Sequence, residues 1–104
     1  PAFPCEGWLS AAEQLVCDEP RLAEADRAMA SAYRRAAQGG VSLGLLRRQH
    51  NRWVRAREAA VRYGPEAVSE VYAARIVELL ELGDEVDPDE DGPKRWRGGP
   101  TQIP

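Results

Sequence analysis

The stretch that decides the fold is residues 20–38, PRLAEADRAMASAYRRAAQ. Within it Leu22, Ala25, Met29, Ala32, Tyr33 and Ala36 recur at spacings of three and four, which draws one apolar stripe down a helix. Pro20 follows the acidic pair Asp18-Glu19 and suits the first helical turn, where its missing N–H costs nothing. Gly39-Gly40 then predicts the stop.

Working upstream, Ser10-Ala11-Ala12-Glu13 is a capping box, in which the serine hydroxyl and the glutamate carboxylate satisfy each other's backbone amides. It predicts a short helix ending near Cys17. Residues 1–9, broken by Pro1, Pro4 and Gly7, read as an extended lead-in. Downstream, Ser42 or a neighbour reopens a helix that should run to Tyr63, with Leu46, Gln49, Trp53, Ala56 or Arg57, and Ala60 facing inward. Gly64-Pro65 predicts a sharp stop and restart. The last helix, residues 65–82, aligns Val68, Val71, Tyr72, Ile76, Leu79 and Leu80, with Gly83 as its C-terminal cap.

No stretch alternates apolar and polar residues, so no strand is expected. The fold class is therefore all-α: a small bundle of one short and three longer helices. It occupies residues 1–83, and residues 84–104, DEVDPDEDGPKRWRGGPTQIP, form an irregular tail, acidic and then basic.

A chain of 104 residues has room for one core. No apolar run approaches the ~20 residues of a membrane span. Because the sequence begins at Pro1, it reads as a processed or trimmed chain, with any signal peptide or lipid anchor lying outside it. Two cysteines and one histidine supply no CxxC pair and no metal-ligand set, and neither a phosphate-binding loop nor a dinucleotide fingerprint occurs. No cofactor, no metal and no catalytic activity are expected.

The net charge of −3 hides a sorting into blocks. Residues 1–26 are net −5, residues 27–62 net +8 with nine arginines against Glu58 alone, residues 63–91 net −9, and residues 92–104 net +3. Clustered arginines can serve a nucleic-acid surface. Here the acidic flanks should fold back within a Debye length, ~10 Å at 0.1 M salt, and the blocks favour antiparallel packing over nucleic-acid binding. Trp8 and Trp53 read as core anchors and His50 as a solvent-facing residue. Cys5 and Cys17 are open to two readings, a bridge across a short loop or two reduced thiols.

Cys5, Ala12-Glu13, Val16-Cys17, Leu22-Ala23, Asp26, Ala32-Tyr33, Leu46, Gln49, Trp53, Arg57, Tyr72, Arg75-Ile76 and Leu79, in that order, resemble the LprI-type lysozyme-inhibitor family. Its members are secreted, periplasmic or lipid-anchored bacterial helical domains. The resemblance spans about residues 3–82 and implies a Cys5–Cys17 disulfide, an oxidising compartment, and a non-catalytic envelope protein that binds and inhibits lysozyme. Members commonly carry a second cysteine pair around the last turn. Ala60 and Ala67 stand near those positions here.

Read physically, the motif residues make a structural polar network. Asp26 is expected to pair with Arg57 or Arg75 while Tyr33, Gln49 and Tyr72 complete the hydrogen bonds that burial requires. The acidic stretch at residues 78–91 offers attraction to a cationic lysozyme, and Glu78, Glu81, Asp84, Glu85 and Trp96 are the candidate partner-binding residues. The alternative function is a structural or adaptor module for another envelope protein, held through a helix face or the tail. An exposed Trp96 would favour the adaptor, and one docked on the bundle would favour a self-contained domain.

Overall fold

A computed structural model describes residues 1–85, all of them in helices, turns and coil. The four helices are α1 (Ala11–Asp18), α2 (Pro20–Gln38), α3 (Leu43–Ala60) and α4 (Pro65–Glu85), with a 3-10 turn at Val61–Tyr63 leading out of α3. Each start matches its chemistry. Ser10 and Glu13 form the reciprocal capping box of α1, Pro20 opens α2, and the Ser42 hydroxyl accepts from the Leu45 amide at the head of α3.

Chain direction follows from which residues meet. Arg21 reaches Glu66, Asp26 meets Tyr72, and Ala32 and Ala36 lie by Leu79 and Gly83, so α2 and α4 run parallel, side by side. In contrast, Gln49 meets Arg75 and Arg57 meets Tyr72, so α3 runs antiparallel to α4. Gly64 turns the chain at φ +96°, a value that L side chains rarely adopt, which makes the tight return from α3 to α4 possible. Helix α1 packs across α2 and α3.

The core follows the expected stripes: Val16, Leu22, Met29, Ala32, Ala36, Leu46, Trp53, Val68, Tyr72 and Leu79 are buried. On α3, Arg57 faces inward and Ala56 outward. Leu80, expected inside, is exposed because Leu79 and Leu82 carry the core-facing side of the last turns. Gly83 does not cap α4. The helix continues through it to Glu85, since Leu82 still packs against the core and the Gly83 backbone remains helical. Trp8 is also corrected: it is 87% exposed, because the Cys5–Cys17 bridge and the Ser10 cap fix the lead-in on the outside of α1.

The Cys5 and Cys17 sulfurs are bonded, leaving no free cysteine among the described residues. The bridge closes a loop of sequence separation 12 between the lead-in and the last turn of α1. Helix α1, with 8 residues, is too short to persist on propensity alone. Closing that loop limits the unfolded chain by about 3 kcal/mol in the chain-entropy description. The Cys5→Ser/Cys17→Ser variant is therefore expected to melt about 10–20 °C lower, with fraying centred on α1, by calorimetry and amide exchange.

Candidate functional site

Asp26, Arg57 and Arg75 are the polar residues of the core, at 2%, 6% and 1% exposure. Their helices put them there by period: Asp26 lies between Leu22 and Met29 on the inner stripe of α2, and Arg57 lies one turn beyond Trp53 on α3. Arg75 follows Tyr72 in the same way on α4. Buried charge requires partners, and two separate sets supply them.

The first set centres on the Tyr72 hydroxyl, which donates to Asp26 Oδ1 at 2.7 Å and accepts from Arg57 Nη1 at 3.3 Å. The second oxygen of Asp26 accepts from the Ala2 amide at 2.7 Å, which holds the lead-in against α2. Arg57 Nη2 then donates to Glu58 Oε2 at 3.1 Å, and Glu58 accepts from the Ser10 hydroxyl and the Ala12 amide. One continuous chain of hydrogen bonds thus joins α2, α4, α3 and α1. In the second set Arg75 Nη1 donates to Gln49 Oε1 at 2.9 Å and to Glu78 at 3.4 Å.

Five of the six expected network residues make side-chain hydrogen bonds, Asp26, Arg57 and Tyr72 in the first set and Gln49 and Arg75 in the second, but the pairing differs. Asp26 is not ion-paired with Arg57 or Arg75 at contact distance; the tyrosine stands between it and Arg57, because Tyr72 is long enough to fill the gap between α2 and α3. Tyr33 enters no hydrogen bond among the described residues and instead packs its ring edge-on to His50, with centroids 5.6 Å apart. His50 is itself a correction. It does not face solvent but lies half-buried between Tyr33 and Trp53, since the step from Gln49 turns it toward α2. Glu58 is the hub that the motif reading missed. Its signal was present, as the sole acid among the nine arginines of residues 27–62.

The electrostatics follow from burial. Burial raises the Tyr72 phenol, and its bond to Asp26 raises it further, so the hydroxyl keeps its proton and can donate. Burial opposes the Arg57 charge, but the bonds to Tyr72 and Glu58 outweigh it and hold the guanidinium above its ordinary value. Burial lowers the His50 pKa below its usual 6.5, and Arg75 and Arg57 lower it further.

Beside this seam lies a cavity of about 520 Å³, walled by Phe3, Met29, Tyr33, His50, Trp53 and Val54. Trp53 is fixed there by its indole N–H, which donates to the Val71 carbonyl at 3.1 Å, and by Arg57 stacked 5.3 Å from the ring centroid. The two cysteines are bonded to each other, and no group of three metal-ligating side chains occurs among the described residues. The arrangement can hold an apolar group, and it locks four helices together.

The second candidate region is the end of α4, where Glu78, Glu81, Asp84 and Glu85 are all exposed and no basic residue occupies the last turn. Trp96 lies outside the described residues. Comparison of the chain with protein-family models, with curated proteins and with solved structures finds no match.

Two measurements probe the seam. Tyr72→Phe removes the shared hydroxyl and leaves Asp26 and Arg57 each short of a partner, so stability should fall by about 1–3 kcal/mol in denaturant titration. For His50, proton-detected titration should give a midpoint below 6.5. The unfolded chain binds that proton first, so the stabilisation is complete above the unfolded pKa and is lost as pH falls through the folded one. Stability should therefore decline as pH falls below about 6.5, and His50→Gln should flatten the decline.

Proposed function

We propose that this chain is a non-catalytic binding protein of the bacterial envelope that engages and inhibits lysozyme, as its resemblance to the LprI-type family implies. The observation that carries the reading is the exposed acidic end of α4. Carboxylates at a helix C-terminus are unfavourable, because they stand against the negative end of the helix dipole. Glu81, Asp84 and Glu85 there form no ion pair among the described residues, while Glu78 pairs with Arg75 at 3.4 Å. They suit a cationic partner, and lysozymes of the animal type are usually cationic. Val77 and Leu80, exposed at 53% and 44%, give the same end apolar area to bury on contact.

The Cys5–Cys17 bridge supports a place in an oxidising compartment, periplasmic or extracellular. No described helix is long and apolar enough to cross a membrane. The second reading, an adaptor for another envelope protein, draws on the cavity walled by Tyr33, His50 and Trp53, which has room for a partner's side chain.

Lysis of a cell-wall suspension by lysozyme tests the first reading directly. Inhibition is expected at micromolar excess of this protein, weakened about tenfold at low salt by Glu78→Gln/Glu81→Gln/Asp84→Asn/Glu85→Gln through slower association. Undiminished lysis at that excess removes the reading. If lysis continues while Ala30→Phe, which fills the cavity, abolishes capture of an envelope protein, the adaptor reading takes its place.

A further inference from the structure

The basic middle of the chain is not neutralised by its acidic flanks. Of the nine arginines in residues 27–62, eight are exposed and only Arg57 is buried. Among the described residues, none of the eight forms an ion pair; the pairs present are Arg21–Glu66, Arg57–Glu58 and Arg75–Glu78. The expected folding back of the acidic blocks is realised in chain direction and not in contact.

These arginines are also ordered in space. Gln49, Trp53 and Arg57 are the α3 residues bonded or stacked toward α4. By the helical repeat, Arg47, Arg48 and Arg55 project from the other side of α3, Arg52 lies on the shoulder, and Arg62 extends the row through the 3-10 turn. The row is roughly 22 Å long at a rise of 1.5 Å per residue. The one acid of α3, Glu58, is withdrawn from it by Ser10, Ala12 and Arg57. From α4, Glu78 lines a groove with Arg52 on the shoulder of the row and forms its ion pair with Arg75.

Like charges one turn apart repel, so this row costs helix stability. Its composition is also selective: the chain has 13 arginines and a single lysine, and the planar guanidinium fork pairs with phosphate oxygens in a bidentate way that lysine does not match. Aromatic side chains flank one end. Tyr63 is 74% exposed with Arg62 stacked on its ring at 5.6 Å, and the Ser10–Glu58 bond brings the lead-in with exposed Trp8 to the same end of α3. A linear basic row ending in exposed tyrosine and tryptophan matches the headgroup layer of a bilayer, where aromatic rings sit at the interface and anionic phosphates meet arginine.

We propose that the outer face of α3 docks on an anionic phospholipid surface, with Arg47, Arg48, Arg55 and Arg62 on the phosphates and Tyr63 and Trp8 at the headgroup level. The protein would then lie peripherally, with the outer face of α3 toward the lipid.

Sedimentation of the intact, disulfide-bonded protein with vesicles tests this. Binding is expected to a phosphatidylcholine–phosphatidylglycerol mixture and not to phosphatidylcholine alone. It should be released as salt rises from about 0.1 M to about 1 M, where the Debye length shrinks from ~10 Å to ~3 Å. Arg48→Gln/Arg55→Gln should lower the partition coefficient by about fivefold per arginine, about 25-fold for the pair. Arg21→Gln/Arg27→Gln, which removes the same charge from α2, should change it by less than about twofold. Both pairs are exposed, and unchanged thermal melting verifies that they fold. Equal binding to the two vesicle types, equal loss from the two double variants, or preference for duplex DNA over vesicles at matched phosphate would each overturn the proposal.

Discussion

The Tyr72 hydroxyl stands between a carboxylate of α2 and a guanidinium of α3, and every helix of the bundle is tied to it within a few bonds. A hydroxyl can donate and accept at once, which is what this position requires. Asp26 needs a donor and Arg57 an acceptor, at a distance that direct pairing of the two does not span. Glu58 then carries the chain on to the cap of α1. A core rich in alanine, with Ala12, Ala32, Ala36 and Ala60 among its buried residues, has little side-chain volume with which to fix helix register. The directed hydrogen bonds of the seam supply that constraint, because sliding any helix by one residue would break several of them.

The disulfide works on the same problem from the other end of the chain. It ties residues 5 and 17, while the Ala2 amide on Asp26 ties the lead-in to the seam itself. A lead-in without regular structure is thereby held at two points. That explains how Phe3 comes to wall the cavity while Trp8, between the two ties and the Ser10 cap, is left outside.

Much of this was legible in the sequence because helical period and capping are local. The stripe of residues 20–38, the Ser10–Glu13 box and the Gly64-Pro65 turn each specify their element from neighbours within about one turn. The polar seam was legible as a set of residues and not as a set of bonds. Period places Asp26, Arg57 and Tyr72 on inward faces, but which pair touches depends on interhelical distances of a fraction of a side chain. His50 and Trp8 depart from the local pattern for two different reasons. His50 sits at the edge of the α3 stripe, where a small rotation of the helix decides between solvent and Tyr33. Trp8 has the apolar bulk of a core residue, and only the path imposed by the disulfide keeps it out. Gly83 shows the reverse error, a local stop signal overridden by the tertiary packing of Leu82.

The charge blocks have two distinct origins once the structure is considered. A charge placed for stability is found with a partner or at the matching end of a helix dipole, as Arg57 is with Glu58. Glu81, Asp84 and Glu85 at the end of α4 oppose the dipole without an ion-pair partner among the described residues, and the arginines on the outer side of α3 are likewise unpaired. Both therefore cost the folded chain free energy. Where the two meet, Arg52 and Glu78 line one groove between α3 and α4 without forming an ion pair. A bundle this small that leaves charge of both signs unrelieved carries it for contacts outside itself, a cationic one for the acids of α4 under the proposed function and an anionic one for the arginines of α3 under the proposed docking.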